Sequence, residues 1–396
     1  MVIRYSIRCL TCDTIHTLRI SVGNNPRQEH TFPCSGCEED LKVEMKLDFE
    51  KITSEIFCIE GCKPCDDEGI IVNLHPHFTI HENYLYKDFV FPWLSDSMKI
   101  AEKQEGLSSK ISTHSKSLEE LIAISKKEQR LLEGWSIIKK GWSLSLKGKD
   151  DLANDFLNNY KDIGFNQKST LNEILFHFCG KLIHPNGVKL FLNAKVFMES
   201  TYESAPIEYH KFRKYYLDKF CNNHMEKYHE IFSEYFRDYS EYSQTSTYLQ
   251  YGFSLPKDSH ASSKAFKRTK MFYGNAFETL TSHLVIFACL NNISLGRPFE
   301  RFENMNLENY MTLNKAKRAY PFKDTEALSA FCNCLESTLR NASHHKAIKI
   351  RNNIVSYQSG GTGALHKITY AEYLYKCNEI MFSIAALLML ELVFTN

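Results

Sequence analysis

The sequence predicts a mainly α-helical fold with a small β module at its N-terminus, and three observations carry that expectation. Apolar residues recur at spacings of three and four over most of residues 118–394, the period of a helix face. Within the first 50 residues the period is two, and each alternating stretch follows a Cys-x-x-Cys pair. The 396 residues include 27 Phe and 21 Tyr, enough large apolar surface for a substantial core and against disorder.

The two pairs are Cys9-Leu-Thr-Cys12 and Cys34-Ser-Gly-Cys37, separated by residues 13–33. Together they offer the four thiolates of a tetrahedral zinc site. Ile15, Leu18, Ile20 and Val22 alternate after the first pair, and Leu41, Val43, Met45 and Leu47 after the second. Two knuckles, each followed by a strand, resemble a zinc ribbon. No open coordination position or nearby general base accompanies them, so a structural zinc on Cys9, Cys12, Cys34 and Cys37 is expected. Cys58, Cys62 and Cys65 precede His75-Pro-His77 and His81. They offer ligands for a second zinc, or are ordinary small side chains on an extended segment; both readings stand. Ile70–Leu74 reads as a further strand. The aromatic segment Tyr84, Tyr86, Phe89, Phe91 and Trp93 is expected to pack onto the next domain. This first domain is expected over residues 1–94.

A helical middle domain, a scaffold or sensor, is expected over residues 95–251. Its helices are predicted at Leu118–Leu146, Asp150–Tyr160, Leu171–Ile183, Gly187–Met198 and Glu208–Tyr239. The first has Leu121, Ile124, Leu131, Leu132, Trp135 and Ile138 as its inner face. Neither G-x4-G-K-[ST] nor G-x-G-x-x-G occurs, which removes the simplest ATPase and dinucleotide readings. Tyr248–Ser263 reads as a connector.

The third part, residues 252–396, opens with the basic stretch Lys264–Lys270. A core stripe continues through Phe272, Ala276, Leu280, His283, Leu284, Phe287 and Leu290, ending at Gly296-Arg-Pro298. A helix is predicted over Thr325–Thr338 from Leu328, Phe331, Cys332, Leu335 and Leu339. Ala371–Phe394 is predicted as a long closing helix. Its most apolar run, Ile380–Phe394, is short for a bilayer and contains Glu391. No secretory signal is visible at Met1, and 13 Cys then indicate reduced thiols and metal binding. A cytoplasmic protein without a membrane segment is expected. With 48 basic against 47 acidic residues, indiscriminate coating of nucleic acid is excluded and any RNA contact must be a local patch. The candidates are Lys264–Lys270, Lys315-Ala-Lys-Arg318 and Lys346–Arg351, each of which is equally a solvated helix surface.

The densest chemistry lies in Leu339-Arg340-Asn341-Ala342-Ser343-His344-His345. The planar fork of an Arg suits a phosphate, and a His, titrating near neutral pH, suits proton transfer. Cleavage of RNA by its own 2′-hydroxyl needs both and no metal. At about 100° per residue, Arg340 shares a helix face with His344, and Asn341 with His345. Arg340 and His345 diverge, unless the helix ends here or two copies of the motif face each other. A helix C-terminus also favours Arg and His on its own account.

Arg340, the polar Asn341 and, after four intervening residues, His345 resemble the R-x4-6-H motif of the HEPN superfamily; His344 falls one residue short. The elements beyond the motif come in a similar order too. Ile354–Tyr357 and Lys367–Tyr370 flank Gly360-Gly-Thr-Gly363 as a hairpin or loop, and the closing helix comes after it. The resemblance covers roughly residues 262–396. It implies a helical bundle and a metal-independent endoribonuclease that dimerises with two motifs across one cleft, RNA being the substrate. His345 would then move the proton and Arg340 would stabilise charge on the phosphate. Asn341 would orient the imidazole or the phosphate, and products would be a 2′,3′-cyclic phosphate and a 5′-hydroxyl. The setting implied is a regulated toxin or anti-phage defence, restrained by the first two domains or by a regulatory protein partner. Two other classes stay open: a HEPN adaptor that binds nucleotide or a partner without cutting, and a zinc-ribbon nucleic-acid-binding regulator with a helical dimerisation domain.

Overall fold

The computed structural model describes residues 2–21, 26–48, 51, 53–74, 79–86, 116–160, 169–261, 266–345, 347–359 and 363–396, with the side chains of residues 21 and 116–129 outside that description. The chain is mainly α-helical, with strands in small sheets concentrated at the N-terminus.

The N-terminal strands are β1 (Val2–Cys9), β2 (Ile15–Ser21), β3 (Arg27–Pro33), β4 (Asp40–Asp48), β5 (Thr53–Glu60), β6 (Cys62–Pro64) and β7 (Ile70–Asn73). They form one sheet in the order β6-β1-β2-β7 and a second in the order β3-β4-β5. The alternation read after each Cys pair is β2 and β4. Ile7, Cys9, Leu18 and Ile20 from the first sheet meet Phe32, Leu41, Val43 and Met45 from the second in a small core of their own. The Cys pairs lie at the turns joining β1 to β2 and β3 to β4. Asp13 and Glu38, each directly after the second Cys of its pair, have φ of 56° and 66°. That left-handed turn is costly for most residues; the short polar side chain of Asp13 tolerates it, and Glu38 adopts it without that advantage.

A two-stranded tie, β8 (Ile80–His81) with β9 (Ser259–His260), joins the end of this region to the helical body. The body begins with α1 (Lys116–Ser145), α2 (Asp150–Leu157), α3 (Leu171–Ile183) and α4 (Val188–Ser204). The single helix predicted over Glu208–Tyr239 is two, α5 (Pro206–Lys219) and α6 (Cys221–Arg237), followed by α7 (Tyr239–Tyr251). Asp238, at the second break, is buried and accepts ion pairs from Arg237 and Arg268, which holds the turn. Gly252, at φ 67°, closes α7, its N–H bonding Leu249 O and that of Phe253 bonding Tyr248 O.

The C-terminal helices are α8 (Phe266–Thr269), α9 (Phe272–His283), α10 (Val285–Ser294), α11 (Leu307–Thr312), α12 (Glu326–Ser329), α13 (Ser337–His344) and α14 (Tyr370–Thr395). Between α13 and α14 runs a sheet of β10 (Ile348–Arg351), β11 (Ile354–Tyr357) and β12 (His366–Thr369), all antiparallel. The continuous helix predicted over Thr325–Thr338 is broken. Glu336 is extended, and the Tyr273 hydroxyl donates to Cys334 O at 2.6 Å and accepts from Glu336 N at 2.8 Å. One buried side chain thus replaces the backbone bonds the break gives up.

One hydrophobic cluster runs from Leu131 to Phe394. The division expected between residues 251 and 252 therefore does not coincide with a division of the core. The reason is α14, which is apolar on every face and buried along nearly its whole length. Such a helix needs partners all round, and α3, α4 and α7 supply them together with α9. By length and composition α14 could cross a membrane, but 89% of its apolar window is buried inside the protein.

Glu391, the one carboxylate in that apolar run, sits in the core. It accepts from Tyr216 Oη at 2.5 Å and Tyr228 Oη at 2.9 Å, and its Oε2 lies 3.4 Å from His224 Nδ1. Burial pushes its carboxyl above the usual range and lowers His224 and His283 to about 3, leaving both imidazoles neutral. Glu391→Leu removes the acceptor of two buried hydroxyls, and each orphaned group costs about 1–3 kcal/mol. The expected loss is about 2–4 kcal/mol, read by denaturant unfolding; an unchanged midpoint would show the cluster to be neutral to stability.

Candidate functional site

The four N-terminal cysteines converge. Cys9 Sγ lies 3.7 Å from Cys37 Sγ and Cys12 Sγ lies 3.5 Å from Cys34 Sγ, and all four sulfurs fall within 4.8 Å of one another. A tetrahedron with zinc–sulfur bonds of about 2.3 Å has edges of about 3.8 Å, so the donor set fits that metal. Backbone N–H groups of Thr11 and Gly36 point at Cys9 Sγ and Cys34 Sγ, each at 3.4 Å, as expected for groups that stabilise thiolate charge. The Thr14 hydroxyl and amide draw Cys12 down to about 6, while burial pushes Cys34 up to about 12. A cation among the four reconciles those demands. Gly36 belongs to the geometry: a Cβ there would lie 2.2 Å from Thr14 Oγ1 and 2.9 Å from Cys12 Sγ.

The second set of cysteines behaves differently. Among the described residues Cys58, Cys62 and Cys65 do not close into a metal-holding group. Cys62 Sγ faces Lys42 O at 3.7 Å and Cys65 Sγ faces Asp67 O at 3.9 Å. His75 and His77 lie outside the described residues, as do Phe89, Phe91 and Trp93 of the aromatic segment and the side chains of Leu121 and Ile124.

The Arg-Asn-His stretch occupies α13 and its end. Arg340 lies in the helix, Nε donating to Glu278 Oε1 at 2.7 Å, with a second, shorter contact from Nη2 to the same oxygen. Its Nη1 donates to Asn341 Oδ1 at 2.7 Å, and Asn341 Nδ2 donates to Ser359 Oγ at 3.1 Å. Arg340 and Asn341 are thus brought together in one chain of hydrogen bonds that begins at α9 and ends beside the hairpin. His345 is the residue that caps α13, at φ −87° and ψ 9°, and it is exposed. Among the described residues no hydrogen bond joins its ring to Arg340 or Asn341. His344 is half-buried against Gly274, where an added Cβ would meet its Nε2 at 3.1 Å.

Glu278 is the residue that sequence reasoning missed. It sits 62 residues from Arg340 on the polar side of the α9 stripe, with nothing local to mark it. The three basic stretches differ in what they touch. Lys267 pairs with Asp40 at 3.0 Å and Arg268 with Asp238 at 2.7 Å, so that stretch clamps the sheet region and α6 to α8. Arg351 Nε donates to Ser35 O at 3.3 Å, and Lys346 lies outside the described residues. Among the described residues of these stretches Lys315 reaches the Arg340 region, 4.0 Å from Glu278 Oε2. No known protein-family model, curated protein or solved structure matches the chain.

Proposed function

We propose that this chain is a metal-independent endoribonuclease of HEPN type, acting as a homodimer in the cytoplasm, with a structural zinc in an N-terminal zinc ribbon. The observation that carries the reading is the exposure of His345 at the end of α13, beside the hydrogen-bonded pair Arg340 and Asn341. The His345 N–H still bonds Asn341 O, so within one copy Arg340 and His345 diverge, and a facing copy would bring the two together. In this reading Arg340 takes the charge that develops on the pentacoordinate phosphate. His345, from the facing copy, takes the proton of the 2′-hydroxyl or supplies one to the leaving 5′-oxygen. Asn341, held between Arg340 and Ser359, keeps the guanidinium in register. In this reading the four cysteines supply fold and no catalytic group. A free-running enzyme of this kind would damage its own cell, which fits a toxin or defence effector under control of a partner or trigger.

One observation favours a second reading. Glu278 occupies the fork of Arg340, and a guanidinium so engaged also serves a non-catalytic adaptor of the same fold. Purified protein incubated with total RNA, with and without EDTA, separates the two. Cleavage insensitive to EDTA, leaving 2′,3′-cyclic phosphate and 5′-hydroxyl ends, is the expected result, with a dimer by light scattering. Intact RNA from active-state dimers would leave the adaptor reading.

A further inference from the structure

Three residues of α9, spaced by four, present successive contacts along one face. Gly274 lies against His344, Glu278 bonds Arg340, and the Ser282 hydroxyl accepts from Lys315 Nζ at 2.6 Å. Each step is about 6 Å along the axis, close to the spacing of consecutive phosphates on a single strand. The far end of the row is crowded with positive charge. Lys315 faces Arg318, Lys227 and Arg340 with the carboxylate of Glu278 opposing them, and burial together with those cations lowers it to about 8. Lys227 is lowered too, by burial first and Arg318 next, with Glu230 and Glu278 opposing the shift. Among the described residues Arg318, 5% exposed, donates to the carbonyls of Thr281 and Met311 and has no partner at its Nε. A buried guanidinium without a carboxylate is costly unless an anion completes it. The site is nonetheless reachable, since the Lys315 and Glu278 side chains keep 26% and 31% of their surface.

We propose that Lys315, backed by Lys227 and Arg318, is a second phosphate subsite. It would hold the RNA backbone one nucleotide from the phosphate that Arg340 engages. The inference rests on the nuclease reading above and adds a positioning role that the Arg-Asn-His motif does not contain. The row along α9 sets the direction in which the strand crosses the molecule, from His344 and Arg340 towards Lys315.

The test uses the full-length protein and a single-stranded oligoribonucleotide with 2′-O-methyl groups, which binds but cannot be cut. Anisotropy titrations across a salt series give the affinity and its salt slope. Lys315→Met is expected to weaken binding about tenfold and to lower the slope by about 0.7, the worth of one phosphate contact on a single strand. Lys315→Arg should restore the slope, and Lys227→Gln, on a different helix, should weaken binding several-fold. Removing one of several crowded cations should not lower the melting temperature at low salt, which guards against reading misfolding as lost binding. If Lys315→Met and Lys227→Gln both bind with wild-type affinity and slope, the subsite is wrong, while cleavage of unmodified RNA keeps the nuclease reading intact. A wild-type protein that neither binds nor cuts RNA overturns both.

Discussion

His345→Ala is expected to slow RNA cleavage by about a hundredfold or more, the usual worth of a positioned general acid or base. His344→Ala should fall far less. The two neighbours differ in surroundings as well as in spacing. His345 is exposed where α13 ends, whereas His344 lies half-buried against Gly274, a place suited to lining the cleft or packing the helix. Arg340→Lys should fail as His345→Ala does. It keeps the charge but loses the planar fork that spans Glu278 and Asn341. Matched amounts of each variant, shown to be folded by melting and zinc content, are compared for cleavage of one RNA. Should His344→Ala abolish cutting while His345→Ala does not, the motif is registered one residue too late. If neither matters, the nuclease reading gives way to the adaptor.

How much the sequence disclosed depended on how local each signal is. The Cys pairs with their alternating strands needed only neighbours within ten residues, and they lie at the turns where the spacing puts them. The closing helix declared itself as one long apolar run over Ala371–Phe394, and the structure caps it with Thr369 and Glu372. Long-range contacts left no such trace. Tyr273 interrupts the helix predicted over Thr325–Thr338 from 61 residues away, so periodicity alone joined what a side chain separates. The same blindness hid Glu278, and it made three basic stretches look equivalent when two clamp the sheet region and the helices. The expected division at residues 251 and 252 rested on a true change to Gly, Pro and Ser. That change marks a connector on the surface of one core, because the all-apolar α14 draws helices from both sides of it.

Cys34→Ser is expected to release one equivalent of zinc and to melt the N-terminal sheets while leaving the helices folded. The donor set is four sulfurs within 4.8 Å, and a serine hydroxyl in place of Cys34 leaves three thiolates for a tetrahedral ion. In small modules of this kind metal binding is folding, with apparent energies of about 10–16 kcal/mol. Among the described residues the sheets share a core of eleven buried hydrophobic side chains, distinct from that of the helices, too little to hold two short sheets without the ion. Because the cores are separate, the helical body should survive. It should not be untouched, however. Arg351 at the end of β10 donates to Ser35 O, inside the second Cys pair, and Lys267 of α8 pairs with Asp40 at the start of β4. Loss of zinc should therefore also speed amide exchange in β10, a few residues beyond His345, while α14 stays protected. Metal analysis and hydrogen exchange on the same sample read both effects. Full zinc content in Cys34→Ser, or melting that takes α14 with the sheets, would show that the four cysteines do not fold this region as a unit of their own.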